Sequence, residues 1–328
     1  MSFKNKTILV TGGTGSFGNA FIDYCIKKKL FKKIIVFSRD EMKQWFMKEK
    51  YKKHIEKLRF FIGDVRDYRR LEKSLTDVDI VIHAAATKIV STAEYDPFET
   101  VKTNVIGAMN VIDACINREV ANVLALSTDK ACNPINLYGS TKLASDKLFI
   151  SSNHYSANVK TKFSVMRYGN VIASRGSVIP FFLEMNKFKK EIPVTDKKMT
   201  RFLISLEEAI NSCLVALNNM EGGEIFVKKC KSVNIFNLAK MISKKIKIIG
   251  ARPGEKINEI MIDKNESKNT FDFGEYYKIV PKIFGNDFYK KIKKGGKPVG
   301  ENFEYTSDKN NDWFNSSEIR DIIRSVKY

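Results

Sequence analysis

The chain is poor in the residues that staple or metallate small proteins, and each shortage removes a class of function. Its five cysteines, Cys25, Cys115, Cys132, Cys213 and Cys230, fall at no CxxC spacing, and its three histidines do not keep step with them. Neither a disulfide frame nor a metal site is expected, and the thiols should be buried and reduced. No stretch approaches the roughly 18 uncharged apolar residues that span a bilayer, so no membrane association is expected. The opening MSFKNKTILVTGG shows no apolar leader core and no small-residue cleavage site, which predicts residence in the cytoplasm. Internal repeats are absent, and the lysine-rich tract at 290–297 reads as a solvated surface. Acidic residues are outnumbered, 37 against 57 Lys and Arg, for a net charge of +20. That invites a nucleic-acid reading. The lysines are spread through nearly every segment, however, with no aromatic-plus-basic stripe, so no nucleic-acid partner is expected.

What is present is enough for a large core. The 328 residues are 43% hydrophobic and 11% aromatic, which suits one large domain with a smaller lobe. The first half alternates short apolar runs with amphipathic patterns, the signature of βαβ units and a parallel sheet. Strands are expected at Thr7 to Thr11, Lys33 to Ser38, Leu58 to Ile62, Ile80 to Ala84, Asn122 to Ser127 and Lys162 to Arg167. Helices are expected at Phe17 to Lys29, Arg69 to Leu75, Asn104 to Arg118 and Leu137 to Asn153. The predicted fold class is α/β, a Rossmann-type doubly wound parallel sheet with a smaller mixed α/β lobe. The dinucleotide-binding domain is assigned to 1–169 with returning segments around 203–227. The substrate lobe and C-terminal extension take 170–328, where Pro180, Pro193, Gly222-Gly223, Pro253-Gly254, Pro281 and Gly295-Gly296 punctuate short mixed elements.

Directly after the first strand comes Thr11-Gly12-Gly13-Thr14-Gly15-Ser16-Phe17-Gly18, opening a helix. Glycines at 12, 15 and 18 leave no Cβ between the backbone amides and a pyrophosphate at the positive helix end. About 20 residues on, where an NAD enzyme places an acid for the ribose 2′-hydroxyl, stand Ser38-Arg39-Asp40-Glu41. Ser38 and Arg39, with Lys43 nearby, suit a 2′-phosphate and hence NADP. The alternative is that Asp40 or Glu41 serves as the acid and the cofactor is NAD. Asp64-Val65 stands where an adenine is usually held, and Ala84 and Ala86 are small enough for a cofactor to lie against the backbone. Val171 and Arg175 complete the candidate cofactor contacts.

Tyr138-Gly-Ser-Thr-Lys142 puts a phenol and an ammonium on one helix face. A phenol of ordinary pKa about 10 becomes a usable base when a neighbouring cation favours the phenolate. Just upstream, Ser127 and Thr128 offer hydroxyls at a strand end, followed by an acid and a base, Asp129 and Lys130. Oxidation of a sugar C4 hydroxyl acidifies the C5 proton, so a base at C5 and an acid at the C6 hydroxyl permit loss of water. A simple dehydrogenase needs neither, and an exposed Asp-Lys ion pair is the bland alternative.

These residues resemble the extended short-chain dehydrogenase/reductases, specifically the inverting UDP-N-acetylglucosamine 4,6-dehydratases of the pseudaminic-acid type. The segments that carry the resemblance are TGGTGSFG, FSRDE, FIGDVRD, VIHAAATK, STDKACNPINLYGSTK, RYGNV, SRGSVIPFF, MTRF and GARPGEK, reaching to about residue 262. The resemblance implies tightly bound NADP recycled within each turnover. Tyr138 takes the C4 proton as hydride moves to the cofactor, Lys130 removes the C5 proton, Asp129 protonates the departing C6 hydroxyl, and the hydride returns to C6. The product would be UDP-2-acetamido-2,6-dideoxy-β-L-arabino-hex-4-ulose, a precursor for surface glycans. Lys88, Ser127, Thr128, Asn170, Thr195, Met199, Arg201, Arg252 and Glu255 become candidate contacts to UDP-N-acetylglucosamine, with Arg201 and Arg252 facing its diphosphate. A homo-oligomer is implied, with a hexamer as one form. The chain departs from the family at Lys88-Ile89-Val90-Ser91, where His-Val-Pro usually follows the lysine, and at Ile172-Ala173, where Val-Gly is usual. Rival readings are a UDP-sugar 4-epimerase, a retaining 4,6-dehydratase, and a catalytically idle dinucleotide-sensing or nucleic-acid-binding protein.

Overall fold

A computed structural model describes residues 3–155, 161–174, 176–281 and 285–326. Six strands open the chain at the expected places: β1 (Thr7–Thr11), β2 (Lys33–Ser38), β3 (Leu58–Ile62), β4 (Ile80–His83), β5 (Asn122–Leu126) and β6 (Lys162–Arg167). Their central residues, such as Ile8, Leu9, Val10, Val81, Ile82 and Leu124, are fully buried. Continuous apolar runs of this kind are what a parallel sheet covered on both faces requires. Seven more strands in the order of the chain are β7 (Asn170–Val171), β8 (Ile192–Val194), β9 (Thr200–Ile204), β10 (Ile225–Lys228), β11 (Lys231–Asn234), β12 (Ile246–Ile248) and β13 (Ile260–Ile262). The last four are β14 (Thr270–Asp272), β15 (Tyr276–Ile279), β16 (Lys297–Pro298) and β17 (Tyr305–Thr306).

Among the described residues the main sheet has ten strands in the order β16-β14-β15-β10-β6-β5-β4-β1-β2-β3. From β3 to β10 every pairing is parallel; from β10 outward the pairings are antiparallel. Order reverses between β1 and β4, and ligands of such sheets bind beyond the strand ends at that switch point. The glycine turn follows β1, and Ala84-Ala85-Ala86 follows β4, so both flank the switch.

The segment from 170 divides its residues between two bodies. β10, β14, β15 and β16 extend the main sheet, whereas β11-β9-β7 and the pairs β8-β12 and β13-β17 form separate small sheets. A second apolar core packs under β8, β9 and β11, with Ile179, Phe182, Ile192, Leu203, Val233 and Leu238 buried in it, whereas Met261 and Ile262 of β13 and Tyr305 of β17 are buried in the main core. Helices flank the sheet at α1 (Ser16–Lys27), α2 (Glu41–Lys50), α3 (Tyr68–Ser74), α4 (Val90–Tyr95), α5 (Pro97–Val101), α6 (Gly107–Asn117) and α7 (Leu137–Tyr155). The expected single helix at Asn104 to Arg118 is instead continuous with a wider π turn at Lys102–Ile106 that joins α5 to α6. There Asn104 turns inward, its side chain bonding Thr87 and the Thr141 hydroxyl. All five cysteines are buried and unpaired. No helix of the described residues is long and apolar enough to cross a membrane.

Candidate active site

At the β1 turn, Gly12 has φ +64, and a Cβ there would stand 2.9 Å from the Ala85 backbone. A side chain at Gly18 would meet the Gly13 carbonyl in the same way. The chain therefore passes backbone against backbone at the switch point, as close approach of a ligand requires. Gly15 caps α1 with no side-chain hydrogen bond, and the positive end of the helix there suits an anion. Thr14 turns inward, its hydroxyl donating to Ser38 Oγ at 3.0 Å. Gln44 also holds Ser38, donating to its carbonyl at 3.0 Å.

Beside Ser38, Arg39 is exposed and reaches Asp64 Oδ2 at 3.6 Å. Asp40 is engaged elsewhere. Its carboxylate caps α2, accepting from the Lys43 amide at 2.9 Å, and pairs with the Lys43 ammonium. Asp64 is bound by the Arg66 guanidinium at 2.7 and 2.9 Å; burial pushes its carboxyl up, but Arg66 and Arg39 hold it below the ordinary range. Val65 is buried in the main core, and Ala84 lies half-buried beside the turn. Val171 pairs with Ile204 in β7. Arg175 lies outside the described residues.

The family departure at Ala173 has a visible consequence: this alanine sits at φ 57, the left-handed region that favours glycine. Holding a non-glycine residue there costs about 1–2 kcal/mol. At the other departure, Val90 begins α4 and packs near Gly254, to whose carbonyl the Asn136 side chain donates at 2.7 Å.

Asp129, Lys130 and Tyr138 converge. Thr128 Oγ donates to Asp129 Oδ1 at 2.9 Å, and Lys130 Nζ donates to the same oxygen at 3.1 Å. Asp129 is 1% exposed and its Oδ2 meets no hydrogen-bond partner among the described residues. Burial lifts its carboxyl above the ordinary range, and Glu259 adds to the rise against the opposing Lys130. Burial works against the charge on Lys130, yet Asp129 and Glu259 outweigh it and hold the ammonium well above the usual lysine range. Tyr138 is nearly buried, which pushes its phenol up to about 12 with Lys130 opposing. The exposed-pair alternative for Asp129 and Lys130 is thereby excluded.

Lys142 turns its ammonium inward, its Nζ donating to the Leu126 carbonyl at 2.8 Å, while the charge of Lys130 favours the Tyr138 phenolate. Ser127 also points inward, its hydroxyl donating to the buried Asp146 at 2.7 Å. Asp146 in turn faces Arg167 at 3.8 Å, so Ser127 anchors the strand end rather than reaching out.

Gly139, inside the Tyr138-to-Lys142 motif, explains how the helix comes so near. An added Cβ would lie inside contact distance of the Lys130 carbonyl oxygen and 3.0 Å from Pro134 Cβ. Gly139→Ala is therefore expected to cost about 1–3 kcal/mol and to lower turnover by displacing Tyr138 from Lys130. Thermal melting and a turnover assay on the same preparation check it.

Of the remaining candidates, Asn170 places a buried Oδ1 that meets no partner among the described residues. Thr195, Arg252 and Glu255 form one cluster: Thr195 donates to Glu255 at 2.9 Å, and Arg252 grips it at 2.9 and 3.0 Å. Arg252 is 69% exposed at the side chain. Lys88 is exposed, and burial of part of its side chain lowers its basicity. Met199 packs its side chain into the second core. Arg201 is the clearest departure from expectation. Its guanidinium donates to the carbonyls of Thr200, Ile257 and Lys256 at 2.7–2.9 Å, and its Nε faces Glu259 at 3.6 Å. With its donors spent inside the protein it is no open diphosphate clamp.

Glu259 was not anticipated. It is 2% exposed, and its Oε1 lies 3.1 Å from Lys130 Nζ. The sequence signal available was an acid directly before the apolar Ile-Met-Ile of β13, within reach of GARPGEK.

A doubly wound sheet with a glycine turn at its switch point, and a buried phenol, amine and carboxyl at the next strand end, defines a dinucleotide-dependent enzyme of the short-chain dehydrogenase/reductase type. The chain belongs to the polysaccharide biosynthesis protein family, whose model matches residues 8–281. It is 49% identical over 333 residues to a UDP-N-acetylglucosamine 4,6-dehydratase (inverting) of Campylobacter jejuni subsp. jejuni serotype O:23/36, covering 99% of each chain. It is also 40% identical over 335 residues to a UDP-glucose 4-epimerase of Rickettsia canadensis, covering 99% of this chain and 97% of that one. The X-ray structure of Pen from Bacillus thuringiensis superposes with a TM-score of 0.90 at 33% identity, over all of both chains. The resemblance read from the motifs, and the Rossmann-type fold, are borne out.

Proposed function

We propose that the chain is an NADP-dependent UDP-N-acetylglucosamine 4,6-dehydratase that inverts C5. The observation that carries this is the Asp129–Lys130 pair beside Tyr138, its carboxyl buried and its ammonium largely so, since a 4-epimerase has no use for an acid and a base at C5 and C6. The high identity to a relative bearing that name supports it.

The residues fit a dinucleotide: the Cβ-free passage at Gly12, the glycine-capped N-terminus of α1, and Ser38 with Arg39 at the end of β2. Bound there, a nicotinamide would supply two-electron redox chemistry, taking up the C4 hydride and giving it back at C6. Tyr138 holds the C4 hydroxyl and accepts its proton. Asp129 and Lys130, 3.1 Å apart, pass one proton between them, so that the resting ion pair becomes a carboxylic acid and a free amine together. Lys130 then takes the C5 proton while Asp129 gives its proton to the C6 hydroxyl. The C5–H and C6–O bonds break, a C5=C6 double bond forms, water leaves, and the pair returns to ammonium and carboxylate. With the hydride back on C6, C5 takes a proton from water on the face opposite the one that lost it, which inverts C5, and Tyr138 releases to water the proton it accepted. Asn170, Thr195 and Arg252 face the UDP-sugar, with Arg252 taking the diphosphate while Glu255 aims it. Proton NMR of the product tests the reading: a 4-keto-6-deoxy sugar with inverted C5 supports it, and a C4 epimer that retains its oxygen at C6 overturns it.

Preference for NADP rests on Arg39 and on Asp40 being occupied as a helix cap. Arg39→Ala is expected to weaken NADP binding by about 10–100-fold, the loss of a charge-assisted contact worth about 1.5–3 kcal/mol, while NAD binding changes little. Titration of cofactor-stripped protein with each dinucleotide checks it. Equal losses for both would assign Arg39 no part in the choice.

A further inference from the structure

We propose that Glu259 is a positioning residue for the dehydration step: its carboxylate bridges Lys130 and Arg201 and so fixes where the Lys130 ammonium stands against Asp129. This deepens the proposed function and rests on it. Three elements meet at Glu259. The 129–131 turn after β5 brings Asp129 and Lys130, β9 brings Arg201, and the loop before β13 brings Lys256 and Glu255. Glu259 Oε1 contacts both cations, at 3.1 Å to the largely buried Lys130 and 3.6 Å to the buried Arg201. Its backbone is clamped as well: its amide donates to Ser307 Oγ at 2.9 Å, its carbonyl accepts from the Ser307 amide, and Ser307 Oγ lies 2.6 Å from Thr200 Oγ. Glu259 is thus held through its backbone by Ser307, itself bonded to Thr200 of β9, with its carboxylate on Lys130 in the turn after β5. Its second oxygen meets no hydrogen-bond partner among the described residues.

The charge balance says what it does. Asp129 and Glu259 together match Lys130 and Arg201. Without Glu259, two buried cations would share one carboxylate, and Asp129 would be drawn into permanent ionisation, unable to donate to the C6 hydroxyl. Burial tends to neutralise Glu259, but Lys130 and Arg201 hold its carboxyl below the ordinary range, with Lys256 adding to them. As a standing anion it raises the proton affinity of Asp129 and of Lys130 alike. Removing it must lower both, so the entire pH profile of dehydration shifts to lower pH.

The test is the pH dependence of kcat for UDP-N-acetylglucosamine dehydration by the cofactor-loaded parent, E259Q and E259D. E259Q is expected to lose turnover by about 10–100-fold with KM within about threefold, and to move both limbs of its profile toward acid on the order of one pH unit. E259D keeps the charge one methylene further back, so its profile shifts the same way but less, with turnover partly restored. Where E259Q fails to fold, E259D carries the reading. Profiles that stay in place, or move toward alkali, overturn the role of Glu259. A parent that releases no water overturns the proposed function itself, and the two failures are told apart by that one control.

Discussion

Lys130→Ala is expected to lose water from UDP-N-acetylglucosamine about 10²–10⁴-fold more slowly than the parent enzyme, the usual worth of a positioned base. The loss equals about 3–5 kcal/mol of transition-state stabilisation. The argument is geometric. Lys130 Nζ lies 3.1 Å from the carboxyl that must act as acid, and its charge acts on the Tyr138 phenol. The same substitution leaves Asp129 and Glu259 buried without their shared cation, and breaking such a contact costs about 3–5 kcal/mol of stability. The double variant Lys130→Ala, Glu259→Gln removes one of the stranded charges, so it should regain much of that stability and none of the activity. Melting and turnover measured side by side separate the two effects. Normal dehydration by Lys130→Ala would remove Lys130 from the mechanism.

Tyr138→Phe is expected to lower turnover by about 10²–10⁴-fold with cofactor retention unchanged. The Tyr138 ring is buried, so phenylalanine fills nearly the same space and the loss isolates the hydroxyl. Burial pushes that phenol up to about 12 even with Lys130 beside it, which leaves it protonated at neutral pH until a further cation, such as an oxidised nicotinamide, is brought near. Tyr138 and Lys130 titrate as neighbours rather than as independent groups. Rate measurement with C4-deuterated substrate checks the assignment: the isotope effect should grow in the variant, because the C4 hydride leaves in the same oxidation that needs Tyr138 to take the hydroxyl proton, and slowing that oxidation makes it govern the rate. An unchanged isotope effect would place Tyr138 outside that step.

Much of this was legible in the sequence. The six strands from Thr7 to Arg167 stand where the apolar runs place them, because a sheet covered on both faces leaves an uninterrupted hydrophobic record. The pair Asp129–Lys130 and the helix from Leu137 were readable for the same local reason, being contiguous in the chain. Glu259 was not, since it reaches Lys130 from 129 positions away through a short strand whose pairing with β17 no local pattern announces. Arg201 misled for a related reason. An arginine in a motif reads as a phosphate clamp, but its donors close on carbonyls at 200, 256 and 257 that only the fold brings together. Strands β14 to β16 extend the main sheet from a segment whose short, charged elements resemble a peripheral lobe.

The claim on which the rest depends is that redox, acid and base act in one closed cycle on one sugar. Incubation of the enzyme as purified with UDP-N-acetylglucosamine, no cofactor added, followed by mass measurement of the nucleotide sugar, tests it most directly. The account predicts a product lighter by one water, formed over many turnovers. An unchanged mass, or water loss that stops unless dinucleotide is supplied in proportion to product, would contradict it.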